Sequence, residues 1–261
     1  MEDDSTLESH EALSIPQDEF HSQAYFEAAK QGLDAVVEYA QRFLASKRST
    51  GTEEDVYGAI YELSNIYWMQ EKRPEFTQAC EELLTLTAPN AQLPLYRAGF
   101  AWEWHDANLA LRFIDAGYQA FKRECMESGT IYGFPFYRDL KKLELAIRVS
   151  QEPASKEVDR LMGELVLFSS KNEGYLLPAL EHIANAGDNI DALRRYRLRQ
   201  LIGEEWACNA MRMKMGGKAD TSSLAKAERL LLIVPKVTGE EIMAFAKERS
   251  SPNNAQRLKE F

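Results

Sequence analysis

The stretch WEWHDAN, residues 102–108, gathers the side chains with the most obvious capacity for chemistry. Glu103, His105 and Asp106 place two carboxylates beside an imidazole, the ingredients of general acid–base catalysis. In a turn between two helices the same His105 and Asp106 serve as helix-ending and helix-capping groups, and this reading fits the periodicity on either side better. His10, His21 and His182 stand singly, so no pair of ligands shares a helical face at metal-binding spacing. A G-x-S-x-G nucleophile elbow is absent. GGKADTSS, residues 216–223, has a glycine pair and a lysine but lacks the Lys-Ser/Thr ending of a phosphate-cradling loop, and reads as a flexible connector. Arg194, Arg195, Arg197 and Arg199 form a basic run pointing in several directions around a helix, with Glu204 and Glu205 close behind. That pattern predicts a solvated face with internal ion pairs. The expectation is a non-catalytic chain without cofactor or metal; an unfamiliar helical enzyme using Glu103, His105 or Asp106 is the least favoured alternative.

Charge narrows the partners. The formal net charge is −10, but residues 1–20 hold seven acidic groups and no Lys or Arg, which leaves 34 acidic against 31 basic groups in the remainder. A nearly balanced body lacks the basic stripe that a phosphate backbone requires, so nucleic acid is not an expected partner. Residues 1–17 read as an acidic, disordered tail. Cys80, Cys125 and Cys208 are odd in number and form no C-x-x-C pair, which predicts a reduced, cytoplasmic chain. No run approaches the roughly 18 apolar residues of a membrane span, and the acidic start lacks the basic and apolar regions of a signal peptide. Neither membrane insertion nor export is expected.

The elements that must position these groups are helical throughout. Ala, Leu, Glu, Gln, Lys and Arg fill most windows, and period-two runs of β-branched residues are scarce. The first helical material starts near Asp18 and turns at Gln31-Gly32; Val36, Tyr39, Ala40 and Phe43 then recur at helical spacing. After the loop KRSTGT, Thr52 caps a helix that Glu53, Glu54 and Asp55 favour at its positive end. That helix holds AIYELSNIYWMQEK, residues 59–72, and Lys72-Arg73-Pro74 ends it. A partner helix from about Glu75 to Leu86 puts Phe76, Ala79, Cys80 and Leu83 on one face. The same grammar returns in residues 93–125, with small residues at Ala98, Gly99 and Ala101, aromatics at Tyr96, Phe100, Trp102 and Trp104, and a second helix carrying Leu109, Ala110, Phe113 and Ile114. Ser64 and Gly99 then occupy equivalent places 35 residues apart, the period of a stacked helical hairpin.

These residues, with Phe76-x-x-Ala79 and the closing Pro89-Asn90, resemble the tetratricopeptide repeat over about residues 55–121. Ser64, Tyr67 and Ala79 match the family's packing positions in the first unit, and Gly99, Trp102 and Ala110 match them in the second. Glu71 replaces the usual turn glycine, Arg73 to Glu75 read as extra residues, and the second turn reads as one residue short. The resemblance implies an all-α, short solenoid of antiparallel hairpins whose first helices line a concave groove that binds a peptide or a partner protein's helix. Carried over position by position, that groove takes Tyr61, Asn65, Trp68 and Met69 from the first unit and Tyr96, Phe100, Glu103 and Trp104 from the second. Tyr61 stands where the family's carboxylate clamp has Lys, although Asn65 matches a clamp position. Aromatics in such a groove bury much area while freezing few torsions. Packing of the same aromatics beneath neighbouring helices is the other open outcome. A narrower form of the binding reading is an immunity protein that neutralises a cognate bacterial toxin.

The C-terminal half, residues 136–249, reads as helical but irregular, beyond a turn-rich boundary ECMESGTIYGFP at 124–135. Phe136, Leu140, Leu143 and Ile147 form one stripe there. Thr238 and Glu241 form a capping box, and residues 250–261 read as a frayed tail.

Overall fold

The computed structural model describes residues 20–129, 134–167, 176–186, 191–214, 221–241 and 243–244. The two expected tails, 1–17 and 250–261, and residues 216–220 of the GGKADTSS connector lie outside the described residues. Among the described residues the chain is all-helical. In order the helices are α1 (Gln23–Gln31), α2 (Leu33–Thr50), α3 (Glu53–Met69), α4 (Arg73–Leu83), α5 (Gln92–Glu103), α6 (Ala107–Ser128), α7 (Phe134–Gln151), α8 (Lys156–Leu167), α9 (Leu177–Asn185), α10 (Ala192–Lys214) and α11 (Thr221–Ile233). Successive helices from α1 to α4 pack on one another, as do α5 to α8, α9 with α10, and α10 with α11. No helix is long and apolar enough to cross a membrane among the described residues.

Local chemistry fixes the ends. Gly32, at φ 111°, makes the break between α1 and α2 in a backbone region that side chains resist. Pro74 opens α4 from within its first turn, where its missing N–H is no loss, so Arg73 to Glu75 are helix rather than inserted loop. At the start of α3, Thr52 Oγ1 accepts from the Asp55 N–H at 3.2 Å, while Asp55 Oδ2 accepts from the Thr52 N–H at 2.8 Å. That backbone bond, helped by Lys47 nearby, holds the Asp55 carboxyl below its ordinary range. A carboxyl with a lower folded than unfolded pKa stabilises the fold above the unfolded value, near pH 4, and the gain disappears as pH falls through the folded value. Asp55→Asn is therefore expected to lower Tm at neutral pH and to flatten the decline of Tm below about pH 4, read from melts across an acid series. Thr238 and Glu241 make the same reciprocal pair, with bonds of 2.9 and 3.2 Å.

Two apolar cores result, and α7 belongs to both. Leu140, Leu143 and Ile147 complete the core built by residues 20–120, whereas Leu145 and Val149 join α8 to α11 in a second core. The sequence stripe shows the first of these faces and misses the second. A helix apolar on two sides must also take its charges inside: Arg138, Lys141, Lys142 and Glu144 are all buried. They are answered there, as buried charges must be. Tyr118 Oη donates to Glu144 at 2.6 Å, and Lys141 pairs with Glu164 at 3.0 Å while covering the Tyr118 ring.

The arginine run on α10 differs from the solvated face expected of it. Arg194 sits 3.2 Å from the Asp159 carboxylate and donates to the Pro153 carbonyl. Arg197 donates to the Asp159 carbonyl at 2.8 Å, Arg199 to the Leu231 carbonyl at 2.7 Å, and Arg195 pairs with Glu241. Arg194 and Arg197 thus tie α8 to α10, Arg199 ties α11 to it, and Arg195 ties the segment at Glu241. A guanidinium reaches over neighbouring backbone better than an ammonium because its donors form a rigid fork.

Candidate functional site

Two three-residue turns set the register of the region where the aromatic residues cluster. Between α3 and α4 the Gln70 and Lys72 N–H groups bond the carbonyls of Ile66 and Tyr67; between α5 and α6 the Trp104 and Asp106 N–H groups bond those of Phe100 and Ala101. Glu71 and His105 sit at the left-handed position of each turn, at φ 55° and 60°. The turns are equal in length, and the register between units is 34 residues rather than 35. Ser64 therefore corresponds to Ala98, both fully buried, and Arg97 falls where the first unit has the buried Leu63. A 34-residue alignment of the sequence would have marked Arg97 as a charged residue in a core position.

Arg97 is 0% exposed and organises the site from within. Its guanidinium lies 4.1 Å from the Tyr61 ring centre and 4.7 Å from that of Phe100. It donates to Ser64 Oγ at 2.9 Å and to Asn65 Oδ1. Asn65 Nδ2 in turn donates to Glu62 at 3.2 Å, which passes the charge toward a half-exposed carboxylate. Rings and amide dipoles thus replace the water that a buried guanidinium loses.

This arrangement divides the eight expected groove residues. Tyr61, only 7% exposed, is covered by Arg97, and burial pushes its phenol upward. Asn65 has committed its amide internally instead of keeping it for a partner backbone. Trp68 stacks on Phe100 with centroids 4.2 Å apart, and its indole N–H is buried without a hydrogen-bond partner. Trp104 packs edge-on against the fully buried Phe76, and its carbonyl accepts from Arg73. Those four residues support the fold. Met69 at 55%, Tyr96 at 45% and Glu103 are exposed, and Phe100 is half-buried.

Tyr96, Phe100 and Glu103 share one cleft of about 460 Å³ with Leu95 and Trp102 of α5. Its opposite wall is α7, which contributes Asp139 and Leu143. The α7 residues escape the sequence reading because nothing in it brings α7 against α5. A larger groove of about 570 Å³ lies on α6, but its arginines are engaged: Arg112 forks onto Glu81, and Arg123 donates to the Ala88 carbonyl. Of these two, the α5–α7 cleft combines an apolar lining with surface residues that the repeat pattern singles out.

The catalytic alternative finds no constellation here. Asp106 accepts from the Leu109 N–H at 3.0 Å as the cap of α6. His105 holds the turn, and no hydrogen bond joins Glu103, His105 and Asp106. Among the described residues no cluster of three His, Cys, Asp or Glu side chains is placed to hold a metal ion. Cys80 is buried, which pushes its thiol up to about 12 and leaves it a poor nucleophile. Comparison with family models, curated proteins and solved structures returns no match to this chain.

Proposed function

We propose that this chain is a non-catalytic, cytoplasmic protein-interaction module, built as a short solenoid of tetratricopeptide-like hairpins, that holds a peptide or partner helix in the α5–α7 cleft. The observation that carries this reading is the cleft itself, where Tyr96 is 45% exposed beside Phe100, Trp102 and Leu143 on two different helices. Large rings and aliphatic groups at the mouth of a concave site supply contact area at small entropic cost. The 34-residue register of the two turns supports the repeat reading, since that spacing is the one at which such hairpins stack. The binding surface moves, relative to the sequence expectation, from α3 toward α5 and α7.

A photo-crosslinking amino acid in place of Tyr96 tests this in the chain's own cells, with the same group at the exposed Lys122 of α6 as control. The expected result is one discrete adduct from position 96, absent from position 122 and lost when Gly99→Trp, whose side chain starts from open space, fills the cleft in a chain that circular dichroism shows folded. Equal adducts from both positions, or an adduct indifferent to Gly99→Trp, would overturn the assignment. A toxin as the adduct would specify the immunity-protein form of the reading.

A further inference from the structure

The cleft between α5 and α7 carries its charge one-sidedly. Glu103 is the last residue of α5, exposed, with neither hydrogen bond nor ion pair. A carboxylate there faces the negative end of the helix dipole and gains nothing from the fold. Asp139 stands on the opposite wall with the buried Lys142 3.6 Å away. The nearby guanidinium groups are engaged elsewhere: Arg97 is enclosed behind Phe100, and Arg73 donates to the Trp104 carbonyl. Phe100 has its ring faces occupied by Trp68 and Arg97, so Tyr96 and Trp102 are the rings left beside Glu103. Aromatic rings next to an unpaired carboxylate and a helix C-terminus attract a cation carried on a hydrocarbon stem.

Resting on the interaction reading above, we infer that the occupant of the cleft is a basic amphipathic segment: an aliphatic or aromatic side chain against Leu95 and Leu143, and a lysine or arginine beside it on Glu103. An acidic segment would meet Glu103 as a like charge, with Asp139 already matched to Lys142. A wholly apolar one would press against Glu103 and strip it of water without compensation.

A displayed library of random short peptides, selected on the full chain and counter-selected on the Gly99→Trp variant, whose side chain fills the cleft from open space, tests the chemistry without knowledge of the natural partner. The expected cleft-dependent clones carry Lys or Arg at a fixed spacing from a large apolar residue. Their affinity should fall about tenfold with Glu103→Lys, less with Glu103→Gln, and weaken as salt is raised. Cleft-dependent clones that are neutral or acidic would overturn the basic partner and leave the interaction cleft standing. A selection yielding no cleft-dependent clone would overturn both.

Discussion

Arg97→Ala is expected to destabilise the fold by about 3–5 kcal/mol, the range for emptying a large core position or breaking a buried polar network. In Tm the loss is roughly 10 °C for a chain of this size. The substitution removes the group that Tyr61 and Phe100 cover and leaves Asn65 without its internal donor. Two effects oppose each other, because deleting a charge that has no carboxylate in contact also relieves its desolvation. Arg97→Met separates them: it refills the volume without the charge and should lie within about 1 kcal/mol of wild type or above it. Urea unfolding followed by circular dichroism reads both variants. If Arg97→Ala matched wild type, the guanidinium would not be what holds α3 to α5.

The second large effect belongs to Gly117, on α6. A Cβ built there would lie 2.6 Å from Cδ1 and 2.9 Å from Cδ2 of Leu140, which is itself fully buried on α7. Helix propensity alone makes Gly→Ala favourable by about 0.5–1 kcal/mol, so the sign of the change is diagnostic. We expect Gly117→Ala to destabilise by about 1–3 kcal/mol, the usual cost of overpacking, because Leu140 is itself enclosed in the core. Combined with Leu140→Ala, the two losses should fall short of additive by about 1 kcal/mol or more, since the second change removes the clash. A stabilised Gly117→Ala would mean that α6 and α7 can separate without strain.

How far this could be read from sequence depends on the range of the interaction involved. The Thr52 and Thr238 caps, the turn at Gly32 and the apolar stripes of α4, α6 and α7 are set by neighbours within a few residues, and the sequence displays them. The 35-residue register failed because Ser64 and Gly99 were paired by size, while the backbone turns at Glu71 and His105 fix 34. The α10 arginines read as surface charge because their partners lie 32 to 46 residues away in the chain, and Arg97, with partners 32 and 33 residues away, carries no local sign of its burial. The cleft was half visible. Tyr96, Phe100 and Glu103 came from repeat spacing, but Asp139 and Leu143 enter only because α7 packs against α5. Tyr61, Asn65, Trp68 and Trp104 follow the same spacing and are taken up in packing, since spacing names a helix face without saying what covers it.

The double allegiance of α7 gives the cleft a reach beyond its walls. An occupant that touches Leu143 and Asp139 restrains the helix whose Leu145 and Val149 close the second core. Opening of that core then requires either release of the occupant or fraying of α7 beneath it. Amide exchange should therefore slow on binding in α8 and α9 as well as at the cleft, although neither of those helices lines it. An event at the mouth of α5 would then register as persistence in the second core.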